Sequence, residues 1–256
     1  MSGSDEGPGR PAFLALDAGN SSTKAALWTG RWGPVTRLPA AAAPGELAAA
    51  LGAFRGAGAV GLAAVVPDAP LRAAVREVLS LELRSVSAAG PLPFELAYRT
   101  PETLGADRLA AAAAAHALAP DRPVVAVDAG TAVTVDAVDF RDGCAVYRGG
   151  AIAPGADLLR WALARGTAAL PDVELGEPPA LGDSTRTSIE AGLGGMLAGG
   201  VAHLVARVAA ALSAPPLVVA TGGWAPWLAA RVDAIDRVEP MLVLDGVRRL
   251  LDTGRQ

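Results

Sequence analysis

Phe13-Leu14-Ala15-Leu16-Asp17-Ala18-Gly19-Asn20-Ser21-Ser22-Thr23-Lys24-Ala25-Ala26-Leu27-Trp28 reads as a buried apolar strand, a tight polar turn and a second strand. Gly19 permits a sharp bend. Asn20, Ser21, Ser22 and Thr23 surround that bend with short hydrogen-bonding side chains and exposed N–H groups, the composition of a loop that holds a phosphate. Asp17 closes the first strand and Lys24 opens the second. A carboxylate facing a phosphate is repulsive unless a cation stands between them, so the pairing points to a metal-bound nucleotide with Lys24 as a second positive charge. An ordinary hairpin whose Asp and Asn cap the turn has the same local sequence, and this stretch alone does not separate the two.

The pattern returns. Val124-Val-Ala-Val-Asp128-Ala-Gly-Thr131-Ala-Val-Thr-Val-Asp136 repeats the strand, the Asp-Ala-Gly and the second strand, with Asp128 lying 111 residues after Asp17. That offset is the length of a small domain and too long for a solenoid repeat, so two copies of one domain are expected. Duplicated strand-turn-strand units with Asp-Gly loops resemble the actin, sugar kinase and Hsp70 ATPase superfamily, in which both loops grip the phosphates of ATP. The resemblance implies an α/β chain of two tandem actin-like (ribonuclease H-like) domains, 12–118 and 119–252, with an ATP cleft between them.

Composition agrees with a folded enzyme-sized chain. At 256 residues there is room for two small domains, and 52% hydrophobic against 19% charged residues excludes a disordered chain. The net charge of −4, without a basic cluster, argues against a nucleic-acid partner. The single cysteine, Cys144, excludes an internal disulfide framework and fits a reducing compartment, where it is a structural or spectator thiol. Residues 1–11 are small and polar and lack the pattern of a signal peptide; they are expected to be a floppy leader. No stretch reaches 18 uncharged apolar residues, the longest candidates being broken by His116, His203 or Arg207, so a soluble, cytoplasmic protein without a membrane partner is expected.

In chain order, a third strand is expected at 32–38, a helix at 44–54 opened by Pro44, a buried strand at 60–66, a helix at 69–79 and a short strand at 83–86. A long proline-bearing connection follows from 90 to 108, and then an Ala/Leu helix at 109–118, which sets residues 105–108 at a helix start, where anions are favoured. An Asp at that position is also common for dipole reasons alone. In the second half, strands fill 124–138 and 144–148, the latter ending at Gly149-Gly150, where a chain can pass close to a ligand. A helix at 154–165 leads to a proline-rich loop at 170–181, capable of forming a rim or serving as a plain connection. A long helix at 184–212 carries Gly192, Gly195 and Gly199, read as a close helix contact. A strand at 217–220 precedes the Thr221-Gly222-Gly223 turn, with Trp224 and Trp227 read as packing, and a closing helix at 242–251 precedes a tail at 252–256.

Tyr98-Arg-Thr-Pro-Glu-Thr-Leu-Gly105-Ala106-Asp107-Arg108-Leu-Ala, taken with the two Asp-Ala-Gly turns, resembles type III pantothenate kinase. Further signatures follow in order: Gly149-Gly-Ala-Ile-Ala-Pro-Gly155, Ala168-Ala-Leu-Pro171, Gly182-Asp-Ser-Thr185 with Ser188, Ile189 and Gly192, then Thr221-Gly-Gly223 and 242–246. The resemblance runs from about residue 14 to 251.

That resemblance implies phosphoryl transfer from ATP to the primary hydroxyl of pantothenate, a reaction of positioning, charge neutralisation and a proton acceptor. By resemblance Asp107 is the base and Arg108 meets the pantothenate carboxylate, with Gly105, Ala106, Tyr98 and Thr185 completing the substrate side. Asp17, Ala18, Gly19, Asn20, Ser21, Ser22, Thr23, Lys24 and Thr131 hold ATP, with Asp17 helping to place Mg²⁺. A monovalent cation, K⁺ or NH₄⁺, maps onto Asp128, and a homodimer is implied, with pantothenate enclosed by both chains. Two rivals stand beside this reading: a non-enzymatic accessory factor for transcription, which would be expected to lose some of Asp17, Asp107, Arg108 or Asp128, and another small-molecule kinase of the superfamily.

Overall fold

The computed structural model describes residues 11–252. The leader expected over 1–11 and the tail expected over 252–256 lie, but for Pro11 and Asp252, outside the described residues. The chain forms two compact units. Described residues up to Pro93, Thr100–Ala114 and those from Met241 onward make the first; Phe94–Arg99 and Ala115–Pro240 make the second. This differs from a single boundary after residue 118 in three places, the segment around Tyr98, residues 115–118 and the closing helix, and the first and last have packing reasons.

In the first unit, β1 (Ala12–Ala18), β2 (Ser22–Trp28), β3 (Thr36–Pro39), β4 (Ala57–Ala64) and β5 (Leu83–Ser85) form a sheet ordered β3-β2-β1-β4-β5. β1 runs antiparallel to β2 and parallel to β4. Both of its faces are covered, which is why it reads as a continuous apolar run rather than an alternating one. Leu14, Leu16 and Ala18 share a buried cluster with Leu47 and Leu51 of α1 (Pro44–Leu51) and Leu71 and Val75 of α2 (Ala69–Leu79). Each such leucine contributes about 1.5–3 kcal/mol through burial. The strand expected over 32–38 shrinks to β3 with one isolated bridge from Trp32 to Trp28, the two indoles meeting edge to face at 5.2 Å.

The connection 90–108 is ordered by pieces of structure too short to read from sequence. β6 (Glu95–Leu96) pairs with the second sheet, which draws the Tyr98 segment into the second unit. A single 3-10 turn at Pro101–Thr103 leads into α3 (Ala106–Leu118), which starts three residues earlier than its apolar run.

The second sheet comprises β7 (Val124–Ala129), β8 (Ala132–Arg141), β9 (Cys144–Pro154), β10 (Leu217–Thr221) and β11 (Arg237–Val238), with β6 at its edge, in the order β11-β10-β7-β8-β9-β6. Without β6, order and strand directions repeat those of the first sheet: the opening strand is flanked by its antiparallel hairpin partner and by a parallel strand. The duplication expected from the two Asp-Ala-Gly turns is thus a duplication of topology. β9 does not stop at Gly149-Gly150. It runs on to Pro154 because these glycines permit tight pairing: a Cβ on Gly150 would fall 1.9 Å from the Val135 carbonyl oxygen, and Gly149 has φ +85° beside a β-bulge.

α4 (Ala156–Gly166), α5 (Thr185–Ala210) and α6 (Ala225–Ala229) cover this sheet. Ser184 caps α5, its hydroxyl accepting from the Thr187 N–H at 3.3 Å, a contact worth about 1 kcal/mol. Leu197, Val201 and Val205 of α5 join Val125, Val127, Val133, Val135 and Leu228 in one core. The 170–181 loop is a packed strap of this unit: Val173 is buried with Ile189 and Leu193, and the Trp227 indole N–H donates to the Gly176 carbonyl at 3.0 Å. Trp224 and Trp227 pack against the core, as expected.

Among the described residues, nothing beyond chain neighbours and the helix's own backbone lies within 4 Å of a Cβ on Gly192, Gly195 or Gly199, so no helix of this chain packs there, whereas Gly194, which spacing did not single out, lies against Pro178, 2.5 Å from where its Cβ would stand. By length and composition α5 is long and apolar enough to cross a bilayer, with a mean hydropathy of 1.4 over its most apolar 18 residues, 28% of them buried. One side of it therefore serves the core and another is left open.

α7 (Leu242–Leu251) returns to the first unit and covers the second face of its sheet. Gly246 lets it lie against α3, since a Cβ there would stand 1.9 Å from the Ala110 carbonyl oxygen; Val247 and Leu251 meet β4 at Gly61.

Candidate active site

Each sheet carries its Asp-Ala-Gly turn at the carboxyl end of an interior strand, where open α/β sheets bind ligands. In the first unit Asp17 stands opposite Lys24 in the β1–β2 register, and the Lys24 ammonium donates to Asp17 Oδ2 at 3.1 Å. Asp17 is only 7% exposed. Burial pushes its carboxyl up; Lys24 pulls it down, Asp107 adds to the rise and Arg37 opposes it, with a net upward shift. Asn20 and Ser21 are exposed and Thr23 is buried. The Gly19 N–H donates to the Ser22 carbonyl at 3.1 Å, but Gly19 does not adopt a positive φ, and a Cβ there would meet only that oxygen, at 3.5 Å. The bend itself therefore does not require glycine, contrary to the expectation from sequence.

The shift at Asp17 has a measurable consequence. Because the folded carboxyl titrates above its ordinary 3.8, the unfolded chain gives up its proton first, and stability falls as pH rises from about that value through the folded one. The ligand-free fold carries this cost at neutral pH, and the partly exposed Lys24 contact returns little of it. Asp17→Asn is therefore expected to raise the Tm of the ligand-free protein at pH 7 by about 2 °C or more. An unchanged or lowered Tm would contradict the burial account.

Asp107 and Arg108 occupy the first turn of α3. Asp107 Oδ1 accepts from the Arg108 N–H at 2.8 Å, and a Cβ on Gly105 would lie 2.4 Å from that same oxygen, so glycine at 105 clears the space the carboxylate occupies. Ala106 is buried, and Arg108 is 7% exposed. The influence of Asp107 on Asp17 places both carboxylates in one neighbourhood of the first unit. Beside them a groove of about 810 Å³ opens past the ends of β4 and β5, lined by Val65, Val66, Ser87, Thr103, Gly105 and Ala106 among others.

In the second unit Asp128 ends β7 opposite Thr134. The Thr221-Gly222-Gly223 turn lies on it: Gly222 has φ +92°, and a Cβ there would stand 2.6 Å from Asp128 Oδ1. Thr131 follows in the turn, its carbonyl accepting from the Gly155 N–H at 3.0 Å. Tyr98 is half-buried against Tyr147, ring centroids 6.0 Å apart. Thr185 lies elsewhere in this unit, exposed at the start of α5, on an apolar groove of about 700 Å³ shared with Leu159, Leu163, Ile189 and Met196.

Sequence reasoning passed over one buried polar pair. The Tyr147 hydroxyl donates to Asp136 Oδ1 at 2.6 Å, with Tyr147 0% and Asp136 1% exposed. The signal was an acid inside the mostly apolar strand stretch 133–138.

The family model for type III pantothenate kinase matches residues 13–207. The chain belongs to the type III pantothenate kinase family. Type III pantothenate kinases from Chlorobaculum parvum and Desulfovibrio desulfuricans are 35% and 37% identical to it, over 93% of both chains in the first case and over 94% of this chain and 97% of the relative in the second. Among solved structures, a protein of Campylobacter jejuni assigned to the Baf family of transcriptional activators aligns with a TM-score of 0.57 at 19% identity, over 93% of this chain and 97% of that one. The ADPNP-bound activator of 2-hydroxyisocaproyl-CoA dehydratase from Clostridium difficile aligns with a TM-score of 0.52 at 12% identity, over 93% and 92%. These structural likenesses show the fold alone.

Proposed function

We propose that this chain transfers the γ-phosphate of ATP to the primary hydroxyl of pantothenate, giving 4′-phosphopantothenate and ADP, the entry step to coenzyme A. Family membership across the length of the chain carries the proposal, and the presence of Asp17, Lys24, Asp107 and Arg108 in one unit supports it. Asp107 accepts the hydroxyl proton as the oxygen bonds to phosphorus and the bond to ADP breaks; a carboxylate of ordinary basicity suffices. Arg108 meets the pantothenate carboxylate, with Gly105, Ala106, Tyr98 and Thr185 on the remaining polar groups. Residues 17–24 and Thr131 hold ATP, and Gly19, whose Cβ would meet only the Ser22 carbonyl oxygen among the described residues, at ordinary contact distance, leaves its face open to a phosphate.

Among the described residues no group of three or more His, Cys, Asp or Glu is placed to hold a metal ion. Asp17 offers a single carboxylate, which suits an ion such as Mg²⁺ that takes its other ligands from phosphates and water. When bound, the ion neutralises charge on the transferring phosphoryl group. Asp128 is proposed to hold K⁺ or NH₄⁺, and the carbonyls of Gly130 and Thr131, gathered beside Gly155, are donors of the right hardness. The proposed compartment is the cytoplasm.

The enzyme is proposed to work as a homodimer joined through α5, with pantothenate enclosed by both chains. Exposed Met196, 65% accessible, and the open faces of Gly192, Gly195 and Gly199 support this, since a symmetric contact needs a self-complementary patch where backbones approach closely. Gly195→Leu is expected to lower dimer content and activity together, read by light scattering and turnover. A wild type that is monomeric at micromolar concentration and fully active would sink the dimer. The function itself is tested by coupled ADP release: pantothenate-dependent ADP production supports it, and its absence with ATP, Mg²⁺ and K⁺ present refutes it.

The transcriptional alternative draws only on a fold-level likeness at 19% identity. Asp17, Asp107, Arg108 and Asp128, some of which it would be expected to lose, are all present.

A further inference from the structure

Tyr98 sits on a short connection, yet its surroundings are built with unusual rigidity for a loop. β6 pairs with β9 so that Leu96 stands beside Tyr147, and the Ala97 N–H donates to the Tyr147 carbonyl at 3.0 Å. The Tyr147 ring, wholly buried, stacks on Phe94 at 5.8 Å and meets the Tyr98 ring at 6.0 Å and 61°. Its hydroxyl is fixed by Asp136 from the neighbouring strand. Gly149 lies against the Tyr98 ring, where a Cβ would stand 3.3 Å from the ring carbons.

From this geometry we infer that the buried Tyr147–Asp136 pair is a positioning device: it fixes the aromatic surface on which Tyr98 rests, with Gly149 leaving room for that ring, and so sets where the Tyr98 hydroxyl meets the acceptor substrate. A buried acid amid apolar strand residues is costly unless its hydrogen bonds do something a valine could not. Here the bond fixes the position of Tyr147 within the sheet, and edge-to-face contact carries that position to Tyr98. The inference rests on the proposed contact of Tyr98 with pantothenate.

The test compares Tyr98→Phe, Tyr147→Phe and the double variant, measuring KM for pantothenate and for ATP separately. Tyr147→Phe keeps the ring and removes the bond to Asp136. It is expected to raise the pantothenate KM about five- to tenfold with the ATP KM unchanged, and the double variant to be no worse than the more impaired single one. Multiplicative effects in the double variant, or equal rises in both KM values, would overturn the positioning role while leaving the function intact. If Tyr98→Phe alone has no effect, the substrate role of Tyr98 fails and the inference with it. Should Tyr147→Phe not fold, Gly149→Ala disturbs the Tyr98 ring with the buried pair intact, and it must raise the pantothenate KM selectively; an unchanged pantothenate KM overturns the inference.

Discussion

Asp107→Asn is expected to lower kcat by about a hundredfold or more, with ATP affinity nearly unchanged. The substitution keeps shape and keeps an oxygen to accept from the Arg108 N–H, so the first turn of α3 should survive it. What it removes is the capacity to take a proton. Gly105 bears on this only in that a Cβ there would displace the Asp107 carboxylate from its present place. The competing account is that Asp107 merely answers the helix dipole, and its 2.8 Å bond to a first-turn N–H is what that account also expects. Kinetics separate the two. A helix-start residue changed to Asn alters stability by a few tenths of a kcal/mol and turnover hardly at all. Wild-type turnover in the Asn variant would reduce Asp107 to that structural part.

The second large effect concerns Asp128. Activity is expected to rise with K⁺ or NH₄⁺ and not with Na⁺, and Asp128→Ala to abolish that dependence along with most activity, about a hundredfold. Asp128 and Asp17 occupy equivalent places in the two sheets, yet their surroundings differ. Asp17 has an ammonium at 3.1 Å and buried walls, whereas the Asp128 carboxylate is overlain by the Gly222 backbone and followed by a turn whose carbonyls gather at Gly155. Asp17 is paired with an ammonium, and the turn after Asp128 gathers backbone oxygens. Equal rates in sodium-only and potassium buffers, or an Asp128→Ala variant that still responds to K⁺, would rule the assignment out.

Much of the fold was legible because its signals are local. The two Asp-Ala-Gly turns, the period of the apolar residues, Pro44 at the start of α1 and Ser184 at the cap of α5 each depend on a few neighbouring residues, and they announce strands, helices and a duplication. The residues proposed for the site were singled out by motif wording, Asp17 and Asp128 at strand ends beside their glycine turns and Asp107 at a helix start.

The tertiary structure decided what depends on residues far apart in the chain. Only chain crossing shows that β6 pairs with β9, that α7 closes the first unit, or that Tyr147 donates to Asp136 eleven residues away. The glycines mark this boundary most clearly. From sequence, Gly19 promised a bend, Gly192, Gly195 and Gly199 a helix contact and Gly150 a close approach to a ligand, while no packing role was read for Gly222 or Gly246. In the fold it is Gly150, Gly222 and Gly246 that the backbone cannot do without, because a Cβ on each would collide with a carbonyl oxygen belonging to a distant strand, turn or helix. A missing side chain is visible in the sequence, but the neighbour it makes room for is set by long-range packing alone.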